Sequence, residues 1–454
     1  MDVVGTLFGG LDFLMREAAL FAATGFAVLG LSDIAVDLRW LRLAAAGQTR
    51  ATRLDDQPPI EQPGPLAIFI PAWDEADVIG PMLRGALRSW EGGDWRIYVG
   101  AYPNDPATIA AIEALQDPRI RLVVGDVAGP TTKAGCLNAL WKALLTDEAA
   151  EGRLAKAVVL HDAEDVVHPD ELRVFAALVE RWSLVQLPVV PLIHRDSRWV
   201  GGHYADEFAE AHGKDLPVRA ALGAGLPSAG VGCALERGAL GRLAAARGGA
   251  PFDADSLTED YEIGLRLASA GERGCFARVA GPRGLVATRA YFPATLAAAV
   301  RQKGRWTLGI ALSGWDRLGW SGGLAERWMR SRDRQSLLAA LLLLTGYFAA
   351  AAWLFLKARE GMTGIAPAEL PPALAALVSL NLMLLAWRLV IRAFFTARSH
   401  GWSEGLRAVP RAAVSNIVAM SAAAAALSRY RHTRRTGCAP VWDKTDHAFP
   451  VAAE

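Results

Sequence analysis

Five short stretches of this sequence gather side chains that can bind phosphate, hold a cation or take a proton. The densest is His161-Asp162-Ala163-Glu164-Asp165, which follows the apolar run Ala157 to Leu160. On an extended backbone alternate residues project to one side, so Asp162 and Glu164 can share a divalent cation that also grips a diphosphate. Such a cation would offset the charge gathering on a departing nucleotide; an acidic strand-end loop without metal is the plainer alternative. Lys133-Ala134-Gly135-Cys136-Leu137-Asn138 offers a lysine for phosphate or ribose and a glycine for close approach, or only a surface lysine. In Pro71-Ala72-Trp73-Asp74-Glu75, Trp73 can stack on a nucleobase while Glu75 and its neighbour accept from the ring or ribose. A helix N-cap at Asp74 explains the same residues. Thr258-Glu259-Asp260-Tyr261-Glu262 opens a helical stretch through Leu267 and reads as a cap with an acidic first turn. It also offers Asp260 as the base that an inverting sugar transfer needs beside the acceptor hydroxyl. Gln302-Lys303-Gly304-Arg305-Trp306 supplies an amide, a guanidinium for phosphate and an indole for a sugar face, or else a basic helix at a membrane surface.

These stretches need a scaffold, and the sequence between them alternates strand-like and helix-like segments. Leu66 to Ile70, Arg96 to Val99, Arg119 to Val124 and Ala157 to Leu160 read as strands; Val78 to Trp90 and Thr108 to Leu115 have helical spacing. Such a βαβα succession predicts an α/β unit, a mostly parallel sheet with helices on both faces and ligands at the carboxyl ends of the strands. Gln57 to Pro65, with its prolines, reads as the linker into that unit.

The ends of the chain are different. Hydrophobic residues make up 52% of the sequence and charged ones 21%, and the apolar residues crowd toward both ends, a pattern that suits a soluble middle held by membrane segments. A formal net charge of +1 gives no basic field of the kind nucleic acid requires. Leu337 to Leu356 is uncharged and, at ~1.5 Å per residue, matches a hydrocarbon core of ~30 Å. Leu370 to Trp387 reads as a second span with Arg388 and Arg392 as snorkelling anchors. Ala18 to Ser32, extendable to Val36, is a weaker span or a buried helix, and a cleaved signal peptide is not expected. Arg39, Arg42, Arg50 and Arg53 follow it, which orients the middle of the chain toward the cytosol. Ala412 to Leu427 is short, Ala-rich and interrupted by Asn416; a helix at the interface keeps Arg429, Arg431, Arg434 and Arg435 inside. Three spans and a cytosolic C-terminus follow. Cys136, Cys233, Cys275 and Cys438 form no CxxC pair and fit a reducing compartment.

Taken in order, the Lys133/Gly135/Asn138 patch, Asp162-Ala163-Glu164, Thr258-Glu259-Asp260 and the QxxRW of Gln302, Arg305 and Trp306 resemble the family-2 glycosyltransferases over about residues 65 to 315. The flanking helices resemble those of membrane-bound cellulose and hyaluronan synthases. The resemblance implies a GT-A catalytic domain, Rossmann-like, with flanking transmembrane and interfacial helices in a bacterial inner membrane. It implies inverting hexosyl transfer from a nucleotide-diphosphate sugar, expected to be UDP-linked, to a growing glycan or a lipid-linked acceptor, with Mg2+ or Mn2+ as cofactor. Asp260, with Glu259, would be catalytic; Asp162 and Glu164 would hold the metal; Trp73, Glu75, Asp105, Lys133, Asp162, Gln302 and Arg305 would bind the donor. Trp306, Gly230 and Gly232 would line the acceptor path. Two departures stand out: Glu164 replaces an aspartate, and the family's paired aspartates after the second strand give way to Tyr102-Pro103-Asn104-Asp105-Pro106.

Several of these stretches, with Val441-Trp442-Asp443-Lys444-Thr445-Asp446-His447, resemble a narrower group, the inner-membrane glycosyltransferase subunits of the phage N4 receptor system. That group implies membrane lipids, an outer-membrane export partner and cyclic-di-GMP control, here by a separate regulator because the chain stops at Glu454. The expected organisation is a span and linker over residues 1–56, the catalytic domain over 57–320, membrane and interfacial helices over 321–430 and a cytosolic tail over 431–454. Two alternatives remain: a single-sugar transferase acting on a lipid carrier, and a non-catalytic platform for glycan export. Intact Asp260, Arg305 and Trp306 argue against the second.

Overall fold

The structure, a computed structural model, describes residues 3–437 and 448–450; the Val441 to His447 stretch lies outside them. The fully apolar run Leu66–Pro71 (β1) is buried along its whole length, as a strand covered on both faces must be. It pairs in parallel with Trp95–Ala101 (β2) and Ala157–Leu160 (β4), and β2 pairs in parallel with Ile120–Val124 (β3). Leu184–Gln186 (β5), Cys233–Glu236 (β6) and Gly274–Phe276 (β7) complete a seven-stranded sheet in the order β3-β2-β1-β4-β6-β5-β7. Only β6 runs against its neighbours.

Register then decides what meets at the sheet's edge. Phe69 lies opposite Leu160, and Pro71 opposite Gly100, so the loops that follow β1, β2 and β4 leave at one edge. Because β6 is antiparallel and its first residue, Cys233, pairs with both Leu160 and Gln186, the loop entering β6 arrives at that same edge. Ile68 and Ile70 face the helix Ala76–Ser89, while Phe69 and Tyr98 face the helix Lys133–Glu151. Each such apolar side chain removed from water stabilises by about 1.5–3 kcal/mol.

Four helices are long and apolar enough to cross a membrane: the N-terminal one within Val3–Ala45, then Ser336–Thr363, Pro372–His400 and Trp402–Thr436. Each is longer than the uncharged run within it, because charged turns continue the helix beyond the apolar stretch. Arg388 and Arg392, which the sequence offers as snorkelling anchors, are instead engaged in ion pairs within the protein. They pair with carboxylates of the α/β unit, Arg388 with Glu210 at 2.5 Å and Arg392 with Asp206 at 3.5 Å. The helix Trp402–Thr436 contains Ala412 to Leu427 and is tied to the α/β unit on both sides of it: Arg411 pairs with Asp206 at 2.7 Å, and the Tyr430 hydroxyl donates to Asp316 at 3.1 Å. The ~28 Å of helix between those two ties therefore runs alongside the unit.

Candidate active site

A cavity of about 110 Å3 opens at the shared edge, and Thr132, Lys133, Asp162, Glu164, Glu259, Asp260, Gln302, Arg305 and Trp306 are among its lining residues. Lys133 is its electrostatic centre. Its ammonium lies 2.5 Å from Asp162 Oδ1, and burial, which alone would lower its pKa, is outweighed by the charges of Asp162, Glu259 and Asp260, so it is held above its usual range. Thr132 begins that helix by accepting from the Gly135 amide at 3.0 Å, and its hydroxyl donates to the Ala254 carbonyl at 2.8 Å. Asn138 likewise bridges to both backbone groups of Phe252.

The loop after β4 is fixed from below. His161, fully buried, lies 2.9 Å from Asp165 and 2.9 Å from Glu171. Burial would lower its pKa, but the two carboxylates raise it to about 10, so the ring is an imidazolium. The Asp165 carboxylate also accepts from the Asp162 amide at 3.0 Å. Asp165 thus holds the loop as well as lining the cavity beside Asp162 and Glu164.

Glu259 and Asp260 begin the helix Glu259–Ser269, and the hydroxyl of Thr258 makes no capping hydrogen bond. Asp260 Oδ1 accepts from the Tyr261 amide at 2.7 Å. Burial, then the charge of Asp260, pushes Glu259 up to about 7 against the pull of Lys133. Asp260 is itself raised by burial, with Lys133 opposing. Two carboxyl groups so placed share their titration.

Gly230 and Gly232 both have positive φ, 76° and 55°. A Cβ on Gly230 would fall 2.7 Å from Asp260 Oδ2, and one on Gly232 would collide with Thr288, so this loop passes against Asp260 only because both are glycine. Gln186 pins it: the side-chain oxygen accepts from the Ala229 amide at 2.8 Å, and the nitrogen donates to the Val231 carbonyl at 3.0 Å. On the helix Leu296–Thr307, Gln302, Arg305 and Trp306 stand at i, i+3 and i+4 and share one face. Trp306 meets Tyr204 edge-on at 6.1 Å between ring centroids.

The base-side residues are less central. Trp73 packs edge-on against Tyr102 at 5.2 Å. Asp105 is buried, accepting from the Asp74 amide at 2.6 Å and from Thr108 at 3.3 Å at the start of the helix Pro106–Glu113. The Glu75 amide donates to Thr108 Oγ1 at 2.9 Å. Glu75, rather than Asp74, occupies the N-cap position of the helix Ala76–Ser89, without a side-chain capping bond. None of Trp73, Glu75 and Asp105 is among the cavity's lining residues. Sequence reasoning passed over Gln186, Phe208, Tyr291 and Phe292, the last three of which line the cavity. Gln186 did leave a signal, as a lone amide inside the apolar stretch Leu184 to Val190.

This α/β sheet with flanking apolar helices and a cavity at the strand ends is the GT-A architecture. The model of the family described as "Glycosyltransferase like family 2" matches residues 63–309, and the chain belongs to that family: it is a family-2 glycosyltransferase. Among curated proteins it is similar to bacteriophage adsorption protein B of Escherichia coli (strain K12) and bacteriophage N4 adsorption protein B of Escherichia coli O157:H7. Each is 34% identical over 493 aligned positions, covering 99% of this chain and 64% of the relative. The chain thus spans just under two thirds of their length. Among solved structures it is similar in fold to a mannosyltransferase from Pyrobaculum calidifontis in complex with GDP-Man and Mn2+. That likeness has a TM-score of 0.51 and 16% identity, and covers 87% of this chain and 99% of the other.

Proposed function

We propose that this chain transfers a hexosyl group, with inversion, from a UDP-sugar to a growing surface glycan at the cytosolic face of a bacterial inner membrane. The observation that carries this reading is Lys133, which joins Asp162 to the buried Glu259/Asp260 pair inside one cavity. Asp260 would take the proton from the acceptor hydroxyl as it attacks the anomeric carbon; burial raises its pKa and so makes it a stronger base than an ordinary aspartate. Glu259, part-neutral near pH 7, would limit the negative charge facing the diphosphate. On donor binding, Lys133 would exchange Asp162 for a phosphate oxygen, while Gln302 and Arg305 meet the same diphosphate. Trp306 would cap the acceptor, with Gly230 and Gly232 along its path. Trp73, Glu75 and Asp105 would shape the nucleobase end.

Asp162 and Glu164 offer the hard oxygen donors that suit Mg2+ or Mn2+. Among the described residues no three His, Cys, Asp or Glu side chains form a cation cage, so diphosphate oxygens would have to complete the coordination. Such a cation supplies charge neutralisation at the leaving nucleotide. The solved mannosyltransferase complex, which contains Mn2+, supports this reading.

We assign the α/β unit to residues 57–320 and the membrane-associated helices to residues 1–56 and 321–430, with a cytosolic tail beyond. Trp402–Thr436, tied to the α/β unit at Arg411 and Tyr430, would lie at the interface and leave three spans. A reporter fused to the C-terminus is expected to be active in the cytosol; activity only in the periplasm would refute the three-span assignment. Similarity to phage adsorption proteins supports a place in a surface-glycan system with an outer-membrane partner. The central experiment incubates membranes holding the chain with UDP-glucose, UDP-galactose, UDP-N-acetylglucosamine and GDP-mannose. UDP release with sugar entering a polymer is expected. Release only with GDP-mannose, or sugar found only on an extractable lipid, would overturn the donor or the acceptor assignment respectively.

A further inference from the structure

The helix Val200–Glu210 and the turn Ala211–Asp215 that continues it carry charged side chains with no part in the chemistry above. Asp206, Glu210 and Lys214 recur every four residues and so form one stripe. Along it, Asp206 Oδ1 accepts from Arg411 Nη2 at 2.7 Å and from the Thr396 hydroxyl at 3.2 Å, and Arg392 lies 3.5 Å from Oδ2. Glu210 pairs with Arg388 at 2.5 Å and Lys214 at 2.6 Å, and Lys214 reaches Asp37 of the N-terminal helix at 2.6 Å. The opposite stripe turns toward the cavity. Tyr204 and Phe208 lie 6.1 and 6.4 Å from the Trp306 ring, and Glu207 pairs with Lys303, whose ammonium sits 5.4 Å from the same ring.

Trp306, half-buried, packs in one apolar cluster with the two helices that Asp206 and Arg411 join. Tyr204, Phe208 and Phe292 stand on one side of it, and Val414 and Val418 of the helix Trp402–Thr436 belong to the same apolar cluster. Asp206 and Arg411 are both fully buried at their side chains. A buried carboxylate and guanidinium are expensive to separate and geometrically exacting, so they specify one spacing between the elements they join. The approach is close: a Cβ on Gly202 would fall 3.1 Å from Arg411 Cζ.

We propose that Asp206, acting through its buried pair with Arg411, is a positioning residue for the acceptor: it locks the helix Val200–Glu210 to the membrane-associated helices and so sets where the Trp306 indole stands. This rests on the reading of Trp306 as the residue that caps the acceptor. Placement of the acceptor would then depend on how the α/β unit sits on those helices; the proposed donor residues on the strand-end loops would not, and only Gln302 and Arg305, on the same helix as Trp306, would share part of the effect.

The test uses the full chain in nanodiscs of phosphatidylethanolamine and phosphatidylglycerol, with Arg411→Met, Asp206→Asn and the charge-retaining Arg411→Lys and Asp206→Glu. Hydrogen exchange is read over residues 200–210 and 296–307, and over the donor-side residues 66–101 and 157–165. UDP and GDP affinities are measured by calorimetry, and transfer kinetics use the nucleotide sugar that wild type turns over and glycan extracted from the producing membranes. In the charge-removing variants exchange should rise in 296–307 but not in the donor-side segments. Acceptor KM should rise ~10-fold or more, since a displacement of about 1 Å suffices for such losses, with nucleotide affinity falling by less than the acceptor KM rises, because of the proposed donor residues only Gln302 and Arg305 stand on 296–307, and with the charge-retaining variants restoring most of the difference. Wild-type acceptor KM and exchange in Arg411→Met would overturn the proposal, and so would a rise in exchange spread evenly over the sheet. If Arg411→Met does not fold, wild-type exchange over 296–307 in both charge-retaining variants, together with a raised acceptor KM, would overturn it equally. Should wild type bind no nucleotide, the transferase reading fails instead, and the exchange measurement still decides whether the pair positions residues 296–307.

Discussion

The proposed donor half of the site and the proposed acceptor half differ in how their side chains are held. On the donor side Asp162, Asp165 and Asp105 stand just beyond strand ends, and backbone amides fix two of them: Asp165 accepts from Asp162 in its own loop, and Asp105 from Thr108 close by and from Asp74 beyond the neighbouring strand. On the acceptor side the Gly230 loop is held by Gln186, and Trp306 stands among residues of three separate segments. Hydrogen bonds within the α/β unit, including those to the Asp74, Phe252 and Ala254 backbone, hold the first half without help from the membrane-associated helices. Long-range packing makes the second half conditional on how the α/β unit meets its helices. The donor side should therefore tolerate disturbance of the membrane-associated helices, and the acceptor side should not.

Substitutions within the cavity sharpen that contrast. The largest effect is expected for Asp162→Asn, which removes the partner of Lys133 and one proposed cation ligand at once: turnover should fall by ~10³-fold or more, and excess EDTA should do the same to wild type. Full activity in either case would remove the metal assignment. Asp260→Asn should lower turnover by roughly 10²-fold or more while nucleotide affinity by calorimetry stays near wild type, because a base acts mainly in the transition state. Loss of fold and donor binding together would instead identify Asp260 as a helix-start residue. Arg305→Ala should weaken UDP binding by roughly 10-fold and reduce the rate with it, since a guanidinium on the diphosphate acts before and during transfer; unchanged affinity would move Arg305 out of the donor site.

The smallest effect concerns stability. Glu259 is raised from the usual range to about 7, so its contribution is fully present below pH 4.5, its ordinary value, and is lost as pH rises through 7. Glu259→Gln should accordingly raise Tm at pH 8 by ~2–6 °C and have little effect at pH 4. A scan showing equal shifts at both pH values would contradict a buried, part-protonated Glu259.

Much of the donor half was legible in sequence because strand, turn and ligand residue are contiguous there. Ala157–Leu160 is the strand that its apolar run announces, and the acidic residues follow it directly. Helix and strand bounds elsewhere in this half lie within two residues of those read from periodicity. The acceptor half left weaker traces. Val200–Glu210 carries its aromatic and acidic residues on two stripes whose partners lie far along the chain, and no periodicity within one helix names a partner on another. The same limit explains Arg388 and Arg392, read as lipid anchors from their place after an apolar run but turned instead to Glu210 and Asp206.

What the sequence determined by itself was the class of scaffold and the family, and it offered a set of candidate reactive side chains, since each follows from short-range pattern: alternation, apolar runs and motifs in a fixed order. Tertiary structure alone decided that Lys133 faces Asp162 and the Glu259/Asp260 pair together, that Asp165 braces its loop, and that the helix Trp402–Thr436 runs alongside the α/β unit. Charge and burial are properties of neighbours in space, and a buried ion pair forms only where folding brings its two halves together.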